Sequence, residues 1–241
     1  MSIKATYVDH MGSDLSVVNA ARVSFGKKSE WELITFHLGE DWQEAQLRAL
    51  KETDAKLIKY LATHGHYSPF GHCFASFHIK APIFVARQLV KHEYLRMNEI
   101  SRRYVDSEPE FYVPDVWRGR SKDKKQGSSK ETISEVWMQD YGENWKGDPS
   151  FIASAKAESD CMFYNSLIQS GVAPEMARMV LPQSMYTEWY WSGSMDAFAN
   201  MCNLRLKEDT QYETRLVAQQ IDKVMGELYP VSWTALVGEK K

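Results

Sequence analysis

The stretch from Arg87 to Tyr104 packs together Arg87, Gln88, Lys91, His92, Glu93, Arg96, Asn98, Glu99, Ser101, Arg102, Arg103 and Tyr104. Ordinary packing does not require so many ionisable and hydrogen-bonding side chains. On a helix, Gln88, Lys91 and His92 stand at i, i+3 and i+4 and share one polar stripe. The segment from Asn98 to Tyr104 has no helical apolar stripe and reads as extended. Side chains alternate in an extended segment, so Glu99, Ser101 and Arg103 are expected to point one way. An acid, a hydroxyl and a guanidinium beside a helix end suit an anionic, hydrogen-bonding ligand. A solvated surface explains any one of these residues as well; the combination favours a site.

Two other groups of residues invite chemistry and are read more plainly. His64, His66 and His72 lie close together around Ser68 and Pro69. A metal centre would want further Cys, Asp or Glu ligands at regular spacing, and none is obvious, so no metal is expected and the segment reads as a turn. Cys73, Cys161 and Cys202 are widely spaced and odd in number, which fits a reducing compartment and offers no zinc pattern. Cys73 follows His72 in a strand pattern, and neither other cysteine has a neighbouring His, so a covalent cysteine route is the weaker enzyme reading. A Gly-rich phosphate loop is absent from the sequence, leaving Rossmann and P-loop readings without support.

The elements that must position the stretch are legible around it. Pro82 suits a first helical turn, and Ile83, Ala86, Leu89 and Val90 recur at helical spacing as a buried stripe. Upstream, Cys73, Ala75, Phe77 and Ile79 alternate with Phe74, Ser76 and His78 as a strand running into that helix. Residues 3–8 read as a strand. Asp14 reads as a cap before an apolar helical run. Residues 26–48 are mixed and carry no assignment. Residues 51–63 form an amphipathic helix with Leu57, Ile58 and Leu61 inward, ended by Gly65. Residues 110–114 read as a short strand stopped by Pro114. Residues 118–150 are rich in Lys, Ser, Gly, Asp and Glu and read as a mobile polar surface loop. A helix over 151–170 follows, then a short one opened by Pro174. Met185, Thr187, Trp189 and Trp191 alternate with Tyr186, Glu188 and Tyr190 as a strand. Ser194 reads as the cap of a helix that buries Met195, Phe198 and Met201. A last helix holds Tyr212, Leu216, Ile221, Val224 and Leu228, stopped by Pro230.

The 241 residues amount to one domain by default. A net charge of −3 argues against a general nucleic-acid binder. No apolar stretch is long enough to span a membrane, and the N-terminus lacks an apolar signal core, so the reading is cytoplasmic.

Several motifs together resemble one family. Asn98-Glu99-x-Ser101-x-Arg103-Tyr104, preceded by Lys91-His92-Glu93, is similar to the signature of the flavin-dependent thymidylate synthases, which reads Arg-His-Arg and then Asn-Glu-x-Ser-x-Arg-Tyr. His64-Gly-His66-Tyr-Ser68-Pro-Phe70-Gly-His72 resembles the family's His-Gly-His-x-Ser/Thr-Pro-Phe-x-His loop. Asp14-Leu-Ser with Ala-Ala-Arg22-Val-Ser24-Phe25, Ala177-Arg178 to Pro182, Tyr186-Thr187, Asn200-x-x-Asn203-Leu204-Arg205 and Gln211-x-Glu213 match in order, with a gap over 105–170. The resemblance implies an α+β fold with a mixed or antiparallel sheet flanked by helices, and a homotetramer with shared sites. It implies methylation of dUMP to dTMP, with methylenetetrahydrofolate as carbon donor, FAD as hydride carrier and NADPH as reductant. It further implies that Gln88, Lys91, Glu99, Ser101, Arg102, Arg103, Arg178 and Arg205 meet dUMP, Arg205 being catalytic. Ser68, Lys91, His92, Glu93, Arg96, Glu99, Ser194 and Asn200 are then candidates for FAD, and His66 and Tyr104 for folate or nicotinamide.

This chain departs from the family at Lys91, Glu93 and Gly71. If the helix continues to 96, Glu93 and Arg96 are i, i+3 neighbours and Arg96 supplies the displaced cation. The departures leave a catalytically silent nucleotide- or flavin-binding relative as the alternative. A nucleic-acid-binding module is the weaker one.

Overall fold

A computed structural model describes residues 2–38, 43–105, 107–122, 127–140 and 142–238. The order of elements is β1 (Lys4–Met11), α1 (Asp14–Arg22), β2 (Glu32–Leu38), β3 (Gln43–Ala49), α2 (Glu52–Thr63), β4 (Phe74–Pro82), α3 (Ile83–Leu89) and β5 (Leu95–Glu99). Then come β6 (Arg118–Arg120), β7 (Ser128–Thr132), β8 (Val136–Asp140), β9 (Glu143–Gly147), α4 (Pro149–Gln169) and α5 (Pro174–Ala177). β10 (Tyr186–Ser194), α6 (Met195–Arg205), α7 (Tyr212–Leu228) and α8 (Pro230–Val237) complete the chain.

One sheet organises the fold, in the order β1-β4-β10-β5, antiparallel throughout. Its inner face follows the alternation in the sequence. Cys73, Ala75, Phe77 and Ile79 and, across from them, Trp189 and Trp191 are buried. α6 lays Phe198 against both strands, its ring 5.3 Å from Phe77 and 5.5 Å from Trp191 in edge-on geometry. α7 and α8 extend the same core through Val217, Ile221, Met225 and Trp233. Period-2 burial on the sheet and period-3.6 burial on the helices thus meet in one apolar layer, which makes this an α+β fold. The outer face carries Phe74, Ser76, His78, Tyr190, Arg96 and Asn98, and Tyr190 is half exposed.

Several boundaries differ from the sequence reading. Ser13, not Asp14, is the N-cap of α1, and Asp14 instead accepts the Val231 and Ser232 N–H groups at the start of α8. Pro230 therefore opens a helix as well as ending one, because its missing N–H costs nothing in a first turn. Tyr212 is exposed at the first position of α7 rather than inward. Val90 is exposed too, since α3 stops at Leu89. In the stretch 26–48, left unassigned from the sequence, β2 pairs antiparallel with β3, and residues 39–42 lie outside the described residues. Residues 110–112 add only a bridge, Phe111 to Met185, beside β10. The polar stretch 118–150 holds two hairpins, β6–β7 and β8–β9, where the sequence suggested no regular element. Residues 123–126 and 141 of that stretch lie outside the described residues. Charged and hydroxyl residues on β6, β7 and β9 and in the turns hid these strands, and the apolar run Val136-Trp137-Met138 of β8 is too short to show a period on its own.

Candidate active site

The sequence-predicted residues fall into three groups. The first gathers where α3 ends against the junction of α6 and α7. Val90 closes α3 on the Ala86 carbonyl at 2.9 Å, and the His92 N–H reaches the Leu89 carbonyl at 3.1 Å. That turn swings the imidazole back towards α6, so Gln88, Lys91 and His92 do not share a helical stripe, and Lys91 is left exposed. Arg205, the last residue of α6, donates from Nε to His92 Nε2 at 2.9 Å and from Nη2 to the Gln88 carbonyl at 3.3 Å. A guanidinium can only donate, so His92 accepts at Nε2 and carries its proton on Nδ1. Burial and then the charge of Arg205 push the imidazole down from 6.5 to about 4, which keeps it neutral at ordinary pH. The Gln88 amide is held at both ends: its Nε2 donates to Gln211 Oε1, and its Oε1 accepts from Thr214 Oγ1 at 3.1 Å.

The second group lines a cavity of about 480 Å³ between β4, β10 and the segments after β5 and α5. Arg87, Arg102 and Arg178 supply cations, and Glu99 enters from the end of β5. Glu99 accepts from Thr187 Oγ1 at 2.6 Å, which fixes the carboxylate against β10. Arg102 donates to the Ser107 carbonyl. Ser101 and Arg103 do not continue the alternation of Glu99. A turn closes from the Tyr104 N–H to the Ser101 carbonyl at 3.0 Å, and it ends the strand period. Ser101 Oγ accepts the Arg103 N–H at 3.3 Å, and the Arg103 guanidinium sits over the exposed Tyr104 ring, 5.1 Å from its centroid.

The third group is more open. His66 and Ser68 line a groove of about 650 Å³ with Arg22, Phe25, Lys27 and Tyr60. Ser194 is the N-cap of α6 but makes no side-chain cap bond, and Asn200 is exposed on that helix. Arg96 stands on the outer face of the sheet, opposite Ser192. The helical pairing of Glu93 with Arg96 is therefore not formed. The chain leaves α3 at Leu89, turns through Tyr94 at φ 63°, and carries Arg96 in β5. The Lys27 cation and the Ser24 and Ser68 hydroxyls that share this groove with the Phe25 and Tyr60 rings suit a cofactor with a pyrophosphate and flat rings, so the chemistry of this lining fits FAD. Among the described residues no cluster of three His, Cys, Asp or Glu side chains could hold a metal ion. His64 instead stacks on Tyr60, with ring centroids 4.0 Å apart.

Sequence reasoning gave no role to Arg87, Gln211 or Thr214. Gln211 was visible only as part of the Gln-x-Glu motif. Thr214 carried no signal, since a threonine in a helix is unremarkable until its hydroxyl meets Gln88.

A sheet edge with fixed donors, a cation-lined cavity and an aromatic groove define a protein built to hold anionic, ring-bearing ligands. Comparison with known proteins is specific. The family described as thymidylate synthase complementing protein matches residues 6–231. A flavin-dependent thymidylate synthase of Kosmotoga olearia is 39% identical over 230 residues, covering 95% of this chain and 88% of the relative. One from Thermus thermophilus is 37% identical over 229 residues, covering 95% and 73%. Among solved structures, the UMP/dUMP methylase PolB from Streptomyces cacaoi bound with 5-Br dUMP superposes with a TM-score of 0.74 at 30% identity, covering 98% of this chain and 95% of that one. The chain belongs to the flavin-dependent thymidylate synthase family and is a flavin-dependent methyltransferase.

Proposed function

We propose that the protein methylates dUMP to dTMP, taking the carbon from methylenetetrahydrofolate and reducing power from NADPH. FAD, when bound, supplies the hydride chemistry. The protein's own work is to bind, orient and polarise. Arg205 directs the N–H groups not used by His92 and Gln88 towards the uracil ring and stabilises negative charge developing there. Neutral His92 and the Gln88 carbonyl hold that guanidinium in place before substrate arrives. Arg102 and Arg178, with Ser101, Arg103 and Lys91 drawn in from the neighbouring turns, receive the phosphate through charge-assisted hydrogen bonds. Gln88 and Glu99 orient the nucleoside between these ends. Ser68, Lys91, His92, Glu93, Arg96, Glu99, Ser194 and Asn200 are assigned to the flavin side. His66 and Tyr104 are assigned to folate or nicotinamide.

The observation that carries the reading is the meeting of Gln88 and His92 with Arg205, more than a hundred positions later, in one hydrogen-bonded group. Two further points support the setting. All three cysteines are buried and none forms a disulfide, in keeping with a reducing cytoplasm. The exposed Phe151, Met162 and Phe163 of α4 offer apolar surface for assembly as a homotetramer.

The test is chromatographic detection of dTMP from dUMP, methylenetetrahydrofolate and NADPH, with anaerobic bleaching of the flavin absorbance by NADPH. Flavin-loaded protein that bleaches and forms no dTMP refutes the synthase reading and leaves the silent relative. Flavin that NADPH does not bleach refutes the electron donor.

A further inference from the structure

The β6–β7 hairpin grips the loop that joins the two halves of the Arg205 group. Arg118, at the start of β6, donates from Nη2 to Glu213 Oε1 at 2.6 Å. The same guanidinium lies over the Tyr212 ring, 4.9 Å from its centroid, and its Nε donates to Ser128 Oγ on β7 at 3.0 Å. The Tyr112 hydroxyl also donates to Glu213 Oε1, at 3.1 Å. Glu213 is only 3% exposed. Burial alone would raise its carboxyl, but the Arg118 hydrogen bond and charge outweigh that and hold it below the usual range. A carboxylate so buried is tolerated because it is paired, so Arg118 and the first turn of α7 are bound to one another.

The hairpin makes a second contact on the same loop. Gly127 sits at φ +82°, and a Cβ there would stand 3.0 Å from the Asp209 carbonyl oxygen and 3.3 Å from its Cα. Hairpin backbone therefore lies directly on loop backbone, an approach that glycine permits. The loop from 206 to 211 follows Arg205 and delivers Gln211 and Thr214, the two residues that hold the Gln88 amide. Within the loop, Thr210 Oγ1 donates to the Leu204 carbonyl at 3.0 Å and Arg215 to the Glu208 carbonyl at 3.0 Å. The segment is thus tied within itself and to α6, and the hairpin adds a hold on it from outside.

We infer that the β6–β7 hairpin is a clasp for nucleotide binding, in which Arg118, acting through Glu213, is a positioning residue that sets the register of Gln211 and Thr214 on Gln88 and so of Gln88 and Arg205 on substrate. The consequence for substrate rests on the dUMP reading above; the clasp itself does not. Arg118 lines neither the cation-bordered cavity nor the His66 groove, and among the described residues it makes no bond to Arg205. It borders a smaller cavity of about 250 Å³ together with Gln211 and Glu213, so the loop is its route to Gln88.

The experiment uses flavin-loaded, full-length protein and the variants Arg118→Ala, Arg118→Lys and Gly127→Val. Amide hydrogen exchange is followed over 206–214 and, as a control, over β4. The dUMP dissociation constant is measured by calorimetry, and flavin content and melting temperature are recorded alongside. In Arg118→Ala, exchange over 206–214 should rise with β4 unchanged, and dUMP binding should weaken about tenfold, the scale of a small misplacement of binding groups. Flavin content should hold. Arg118→Lys keeps the cation against Glu213 and should recover much of the loss. It also replaces the alanine variant if that one does not fold. Gly127→Val changes no charge and should shift exchange and affinity in the same direction. Unchanged exchange over 206–214 overturns the clasp. Raised exchange with unchanged dUMP affinity overturns the positioning role. Wild-type protein that binds no dUMP refutes the substrate reading, and the exchange result still decides the clasp.

Discussion

The group around Arg205 and the cation-lined cavity both draw on α3, through Gln88 and Arg87, and they are prepared very differently. Arg205 is half-buried and committed: Nε to His92, Nη2 to the Gln88 carbonyl, with Gln88 itself held by Gln211 and Thr214. Arg87 and Arg178 line the cavity exposed, and among the described residues neither makes a hydrogen bond or ion pair. The first cluster has met its ordering cost during folding, so its donors are aimed before substrate arrives. In the second, Arg102 is tied to the Ser107 carbonyl while Arg87 and Arg178 stand exposed. A bound anion must gather them, and the ordering cost falls on binding. Preorganisation is thus placed where charge develops in the reaction, while the phosphate end is left adaptable.

Removing Arg205 is the strongest way to break this contrast. Arg205→Ala should lower thymidylate formation by about 100- to 1000-fold, the range for loss of one preorganised donor, while flavin stays bound. Steady-state rates on flavin-loaded variant check this, and turnover near that of wild type would remove Arg205 from the chemistry. On the adaptable side, Arg178→Ala should act mainly on KM for dUMP. A charge-assisted hydrogen bond is worth about 1.5–3 kcal/mol, so roughly a 10- to 100-fold rise is expected, with kcat less affected. A fall in kcat with KM unchanged would make Arg178 part of the prepared cluster instead.

The neutral imidazole sharpens the comparison at smaller scale. His92 has a folded pKa near 4 against an ordinary value of 6.5. Between those values the unfolded chain takes up a proton that the folded protein refuses, so the unfolded state binds more protons and stability rises with pH. The stabilising difference is complete above about 6.5 and is lost as pH falls towards 4. Because the ring is only half-buried, solvent screens part of the effect. His92→Gln should flatten the urea midpoint against pH in that window. A slope identical to that of wild type would show that burial and Arg205 together do not hold His92 neutral.

The same contrast governs what the sequence could reveal. The inner sheet face was legible because Phe77, Ile79, Trp189 and Trp191 must be buried, and period 2 is the only pattern that buries them together. The families of motifs around Gln88, His92 and Arg205 were legible through resemblance. Their mutual contacts were not, since nothing local tells which residue a helix-terminal arginine will reach. The end of α3 was misread because Lys91, Glu93 and Arg96 all favour helices; the tertiary pairing of β5 with β10 overrode that propensity. Arg103 was misread because alternation was carried past Glu99 into a turn. Arg118 gave no signal at all and Glu213 only as the end of the Gln211-x-Glu213 motif, for a polar hairpin pinned by one buried carboxylate has no periodicity to read.

The smallest effect is expected where chemistry might have been sought first. A Cys73→Ser, Cys161→Ala, Cys202→Ala variant should keep most of its turnover per folded molecule. Each thiol is buried and none forms a disulfide. Cys73 lies on the inner sheet face, where burial pushes it from 9.0 to about 11, so at pH 8 only roughly one molecule in a thousand would carry the reactive thiolate. Burial raises Cys161 as well, and Cys202 directs its Sγ at the Ala218 carbonyl, 3.7 Å away in the core. None is among the residues of the Arg205 group or lines the cation-bordered cavity. The cost should appear in stability instead, through lost packing at Cys73 and Cys202, as a lower melting temperature with an unchanged rate. Measured on folded, flavin-loaded protein, a rate that collapses with the cysteines would mean that the nucleophile is a buried thiol exposed by motion. The prepared Arg205 cluster would then be an accessory to covalent catalysis rather than its replacement.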